Sequence, residues 1–95
     1  MHVRLTADAK ADLDNIRDYL EPRSRQGLDR IISAVFTTLQ HLETFPLMGK
    51  PGRIEGTYEL IIPGTSLFLI YSMADATRLD VDRIWDARMQ YPPED

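Results

Sequence analysis

Residues 28–53, LDRIISAVFTTLQHLETFPLMGKPGR, restrict what this chain can become more than any other stretch. Leu28, Ile31, Ile32, Val35, Leu39 and Leu42 recur at steps of three and four, which puts them on one face of a helix. Asp29, Arg30, Ser33, Gln40 and Glu43 fall mostly elsewhere. Phe45-Pro46 ends the helix, because a proline disfavours helical geometry in the residue before it. Gly49, Pro51 and Gly52 then hold a tight irregular loop that Arg53 closes. No single strand can bury so long an apolar stripe, so a sheet has to be built against it.

The rest of the chain supplies that sheet and a second helix. Val3 and Leu5 alternate with His2, Arg4 and Thr6, the pattern of a short strand with one face buried. Thr6 is placed to cap a first helix over roughly Ala7–Leu20, with Asp8 in its first turn, where the helix dipole favours an anion. Ala9, Leu13, Ile16 and Leu20 form its apolar stripe; Asp12, Asp14, Arg17 and Asp18 lie outside it and read as a solvated face. Glu21-Pro22 breaks this helix, and Ser24 or a neighbour caps the second, over roughly 23–44. So short a joint gives an antiparallel helical hairpin. Three strand patterns follow. Thr57–Ile62 alternates, Leu67–Met73 is apolar on both faces and therefore central, and Leu79–Trp85 alternates until Arg83. Strict alternation would turn Arg83 and Trp85 inward and Ile84 outward, so either a bulge intervenes or Arg83 enters a polar pocket at the sheet's end. The last three strands form an antiparallel meander, since their joints are too short for a parallel crossover. The expected fold is α+β: an N-terminal strand, a two-helix hairpin and a three-stranded meander in one sheet. Residues 1–95 make a single domain with 86–95 as a tail; the place of the first strand stays open.

Composition excludes several functions. The 95 residues carry no cysteine, which removes disulfides and thiolate chemistry. Only His2 and His41 could add to a metal site, so no metal and no cofactor is expected. No apolar run approaches the roughly 20 residues that span a bilayer, and Arg4, Asp8 and Lys10 interrupt any signal-peptide centre. The net charge of −4 argues against general affinity for nucleic acid, whose binders present a basic face.

Several stretches together resemble a family. They are Ala9, Asp12-Leu13, Ile16 and Tyr19; the run from Leu42 to Arg53, with its Leu-x-x-Phe-Pro-x-x-Gly core; Tyr58–Gly64; Ile70-Tyr71; and Arg83–Arg88. In this order they resemble the RelE/ParE superfamily of bacterial type II toxin–antitoxin toxins, over nearly the whole chain. The resemblance implies a small cytoplasmic toxin, associated with plasmid stabilisation, that a ParD-like antitoxin neutralises in a hetero-oligomer. It implies two possible activities: mRNA cleavage on the ribosome for RelE-like members, and inhibition of DNA gyrase for ParE-like members.

Cleaving RNA through its 2′-hydroxyl needs a base, an acid and cations that stabilise a charged phosphorane. RelE-like toxins place basic residues on the central strand, where this chain has Leu67, Phe68 and Leu69, and the position after Trp85, often histidine in relatives, is Asp86. A carboxylate there repels the phosphate. The residues therefore favour the gyrase-directed branch, acting through proteins and without sequence-specific nucleic-acid binding. A ribonuclease would have to use Arg53, Arg83, Arg88 and Tyr91. A degenerate member that binds only its antitoxin is a third reading. The candidates for partner contact are Leu47, Met48, Arg53, Tyr58, Trp85, Arg88 and Tyr91. Each has a plainer explanation as well: Arg53 could tie its loop to Glu59, Tyr58 and Tyr71 could be half-buried sheet aromatics, and Arg83 could pair with Asp82 or Asp86. Arg88 has no obvious local partner, which makes it the foremost candidate.

Overall fold

The computed structural model describes residues 1–93. Element order is β1 (His2–Leu5), α1 (Ala7–Leu20), α2 (Arg25–Thr44), β2 (Lys50–Pro51), β3 (Tyr58–Ile61), β4 (Leu67–Met73) and β5 (Arg78–Asp86). Both helices start where side-chain chemistry allows. Thr6 Oγ1 accepts from the Ala9 amide and Ser24 Oγ from the Gly27 amide, each satisfying a first-turn donor that the helix leaves free. The sheet order is β1-β5-β4-β3-β2. The β3-β4-β5 meander is antiparallel, and β1 takes the open place beside β5, running parallel to it.

The α+β architecture is as expected, with three differences. The loop after α2 contains a two-residue strand, β2, antiparallel to β3, with Lys50 opposite Glu59 and Pro51 opposite Tyr58. Asp86 belongs to β5, paired with Leu67, so the tail begins at Ala87. Glu59, which alternation sets on the opposite face from Tyr58, Leu60 and Ile62, is only 5% exposed. Its buried carboxylate finds its partners in Arg53, from the loop before β3.

A bulge resolves the broken alternation in β5. Ile70 pairs with Arg83 and the next residue, Tyr71, pairs with Val81, so Asp82 is the extra residue. Leu79, Val81 and Ile84 consequently all reach the core. That core is Ala9 of α1, Val35, Leu39 and Leu42 of α2, and Ile62, Leu67, Leu69, Tyr71, Leu79, Val81 and Ile84 from the sheet and its flank. Tyr71 is fully buried rather than half-buried. Its ring stacks on Tyr58 at 5.4 Å between centroids, and its hydroxyl accepts from the Gly49 amide at 2.9 Å.

β1 pairs with β5 only as far as Val81. Beyond it α1 covers the strand edge. The Thr6 hydroxyl donates to the Asp82 carbonyl at 3.0 Å, and the Asp12 carboxylate accepts from the Ile84 amide at 3.0 Å. Asp12 also takes Arg83 in a two-pronged ion pair, Nε and Nη2 each at 2.8 Å. Asp12 is thus not part of a solvated face: it closes the sheet edge and fixes α1 to it.

Candidate functional site

The arginines singled out from the sequence occupy the end of the sheet, and each already has a carboxylate partner. Arg83 is held by Asp12 rather than by Asp82 or Asp86, and its guanidinium stands 4.8 Å from the Trp85 ring centroid. Arg53 donates its backbone amide to Glu59 Oε2 at 2.9 Å, and its Nε lies 3.4 Å from Glu59 Oε1. Arg88, read as lacking a local partner, chelates Asp86, with Nη2 at 2.6 Å and Nε at 3.0 Å from the two carboxylate oxygens. The spacing of two residues at a strand end lets the side chain fold back, which no helical or strand periodicity reveals.

This pairing sets the local charge. The Arg88 guanidinium beside Asp86 pulls its carboxyl down from 3.8 to about 2, and Asp12 raises the already basic Arg83. Asp86 therefore stabilises the fold in full above the unfolded-chain value of 3.8, and that contribution disappears as pH falls through about 2. Acid titration should show a loss of stability between pH 4 and 2 that Asp86→Asn diminishes. The effect is modest, because the Arg88 side chain is 78% exposed and solvent screens the pair. Burial raises Asp82 despite the Ser72 hydroxyl that donates to it, and Asp80 adds repulsion.

Tyr91 joins the arginines to the aromatic residues. Its ring lies 5.8 Å from Phe68 and 5.6 Å from Trp85, and its carbonyl accepts from Arg53 Nη1 at 3.2 Å. Burial, with Glu59 and Asp82 nearby, raises its phenol pKa above the ordinary value, so it is a poor source of a phenolate. Arg53, Arg83, Trp85 and Tyr91 thus form one connected cluster. Tyr58 belongs elsewhere, against Tyr71. Leu47 and Met48, 66% and 44% exposed, project from the turn between α2 and β2 next to the equally exposed Phe45.

A groove of about 650 Å³ runs beside this cluster, between α1, the start of α2 and the end of β5. Ile16, Tyr19, Leu20, Ile31, Trp85 and Met89 supply much of its apolar wall. Arg30 and Arg88 stand on it. Tyr19, Arg30 and Met89 were not among the sequence candidates for contact. Only the 61% exposure of Tyr19, an aromatic on a helix, marks it, and that is a tertiary property. No group of three or more His, Cys, Asp or Glu suited to a metal occurs among the described residues. Among the described residues, no helix is long and apolar enough to cross a membrane.

Comparison with known proteins places this geometry. The profile of the family described as “ParE toxin of type II toxin-antitoxin system, parDE” matches residues 3–91. A Sinorhizobium fredii relative named “Putative toxin Y4kP” is 27% identical over 90 residues, covering 95% of this chain and 92% of the relative. A structure from the RelBE2 toxin–antitoxin complex of Mycobacterium tuberculosis is 31% identical with a TM-score of 0.66, covering 90% of this chain and 95% of that one. A chain of the chromosomal ParDE system of P. aeruginosa shares the fold at the same TM-score of 0.66 and 20% identity, covering 90% and 95% of the two chains.

Proposed function

Because the chain belongs to the ParE toxin family of type II toxin–antitoxin systems, we propose that it is a cytoplasmic toxin that inhibits DNA gyrase and is held inactive by a tightly bound ParD-like antitoxin. The observation that carries this reading is the state of its cations. Arg53, Arg83 and Arg88 are each engaged by a carboxylate, namely Glu59, Asp12 and Asp86. Phosphorane stabilisation depends on cations aimed at developing negative charge. A guanidinium whose charge is already balanced adds little to it, and Asp86, ionised down to about pH 2, keeps Arg88 balanced in this way at neutral pH. What the same end of the sheet offers is apolar surface with a polar rim, the chemistry of a protein contact.

The deciding experiment is gyrase supercoiling with the purified chain in excess. Loss of supercoiling supports the proposal; full supercoiling alongside cleavage of ribosome-bound mRNA establishes the RelE-like alternative. That second reading draws on the 31% identity to a chain of a RelBE2 complex, and it requires Arg53, Arg83, Arg88 and Tyr91 to be released from their present partners. If expression without antitoxin arrests neither growth nor translation, the chain is a non-toxic antitoxin binder.

The groove beside Trp85 suits the antitoxin. Its apolar floor fits the apolar face of an amphipathic segment, and Arg30 on its wall suits an acidic side chain of that segment. A partner present at about a thousand times its Kd adds roughly 4 kcal/mol to folded-state stability. For a domain of this size that raises Tm by about 15 °C or more. An unchanged Tm on adding the antitoxin would exclude tight neutralisation.

A further inference from the structure

β4 is apolar on both sides, and only one side meets the helices. Leu67, Leu69 and Tyr71 join the core against α1 and α2, whereas Phe68 and Ile70 are buried on the side that faces away from them. Burial there needs a cover, and the C-terminal residues provide one over Phe68. After β5 the Met89 amide donates back to the Asp86 carbonyl at 2.9 Å, and Tyr91 returns across the sheet. Its ring meets Phe68 edge-on, at an interplanar angle of 82°. The Arg53 guanidinium stands 5.4 Å from the Phe68 centroid and 5.7 Å from that of Tyr91 while bonding the Tyr91 carbonyl.

This attachment is sparse. Among the described residues, no backbone hydrogen bond ties residues 90–93 to the sheet. Arg88 and Met89, before them, are tied to Asp86 through the Arg88 amide and guanidinium and the Met89 amide; what remains for residues 90–93 is ring contact and the bond from Arg53. Such contacts are individually weak and can break together without disturbing the strands beneath. Arg53 itself is anchored independently of the tail, through Glu59.

We propose that residues 90–93 form a strap that swings as a unit on the turn at Asp86–Met89 while the domain stays folded, with Arg53 as its catch, and that opening uncovers Phe68 and the ring of Trp85. The device does not depend on whether gyrase is the target. Closed, it keeps an apolar strip from water; open, it presents that strip at the same end of the sheet as the arginine cluster.

The test compares the wild-type chain with Arg53→Ala, Arg53→Lys and Tyr91→Ala by amide hydrogen exchange and by fluorescence of Trp85, the single tryptophan. Arg53→Ala and Tyr91→Ala should each raise the acrylamide quenching of Trp85 by about twofold or more, since local opening exposes the ring. They should also red-shift Trp85 emission, leaving exchange in β4 unchanged. Arg53→Lys, which keeps the charge but not the planar fork, should fall between. Arg53→Ala also disturbs Glu59, so Tyr91→Ala, which leaves that pair intact, is the decisive variant. Trp85 quenching that rises only in step with β4 exchange, or Trp85 emission that stays put in Arg53→Ala and Tyr91→Ala, overturns the strap.

Discussion

Asp12→Ala should lower the unfolding free energy by about 2–3 kcal/mol, read as a lower urea midpoint with an unchanged slope. The carboxylate performs three tasks at once. It accepts both Arg83 nitrogens, it accepts the Ile84 amide, and by doing so it attaches α1 to the part of β5 that β1 does not reach. Removing it leaves Arg83 without its counter-charge and a strand amide without an acceptor. Breaking a buried pair commonly costs about 3–5 kcal/mol; the Arg83 side chain is 33% exposed, and water recovers part of that. Asp14→Ala is the matched control. Asp14 lies two residues away on the same helix and pairs with Arg17, but both side chains are more than half exposed. That substitution should stay within about 0.5 kcal/mol of wild type. Equal costs for the two would mean that Asp12 does not hold the helix to the sheet.

Gly49→Ala should destabilise by a comparable amount, about 2–3 kcal/mol, for a steric reason. A Cβ at this position would stand 2.7 Å from the Tyr71 hydroxyl, 2.9 Å from its Cε1 and 2.9 Å from the Glu59 carbonyl. Tyr71 is fully buried and stacked on Tyr58, so it cannot withdraw cheaply. The clash also pushes away the hydroxyl that accepts the Gly49 amide. Tyr71→Phe alone should cost about 1 kcal/mol, the usual worth of such a bond. Made together with Gly49→Ala it should cost less than the sum, since the phenylalanine removes the closest clashing atom. Strict additivity in that double-mutant cycle would show that the collision lies elsewhere. The geometry also gives a physical reason for the glycine in the Leu-x-x-Phe-Pro-x-x-Gly run: the loop passes too near the central strand for any side chain.

Much of the fold could be read in advance because it rests on local periodicity. The stripe from Leu28 to Leu42 and the doubly apolar run from Leu67 to Met73 each leave one arrangement that buries them. Thr6 and Ser24 could be recognised as caps because capping is chemistry within four residues. β2 escaped notice because two residues containing a proline carry no alternation. The candidate site was less legible. Arg53, Arg83, Trp85 and Tyr91 were named and do come together, but the partners that define them were not all foreseen. Asp12 is 71 residues from Arg83 in the chain, and Arg88 turns back on Asp86 through side-chain flexibility alone.

Local spacing was enough for the two helices, the central strand and the α+β class, since helix and strand periods are written in consecutive residues. It was also enough to deny this chain a thiol or a histidine-rich metal site. Strand order, the bulge at Asp82, the burial of Glu59 and the pairing of Arg83 with Asp12 were decided only when distant segments met. Charge pairing and edge closure depend on which atoms lie within a few ångströms, and the order of residues along a chain does not specify that.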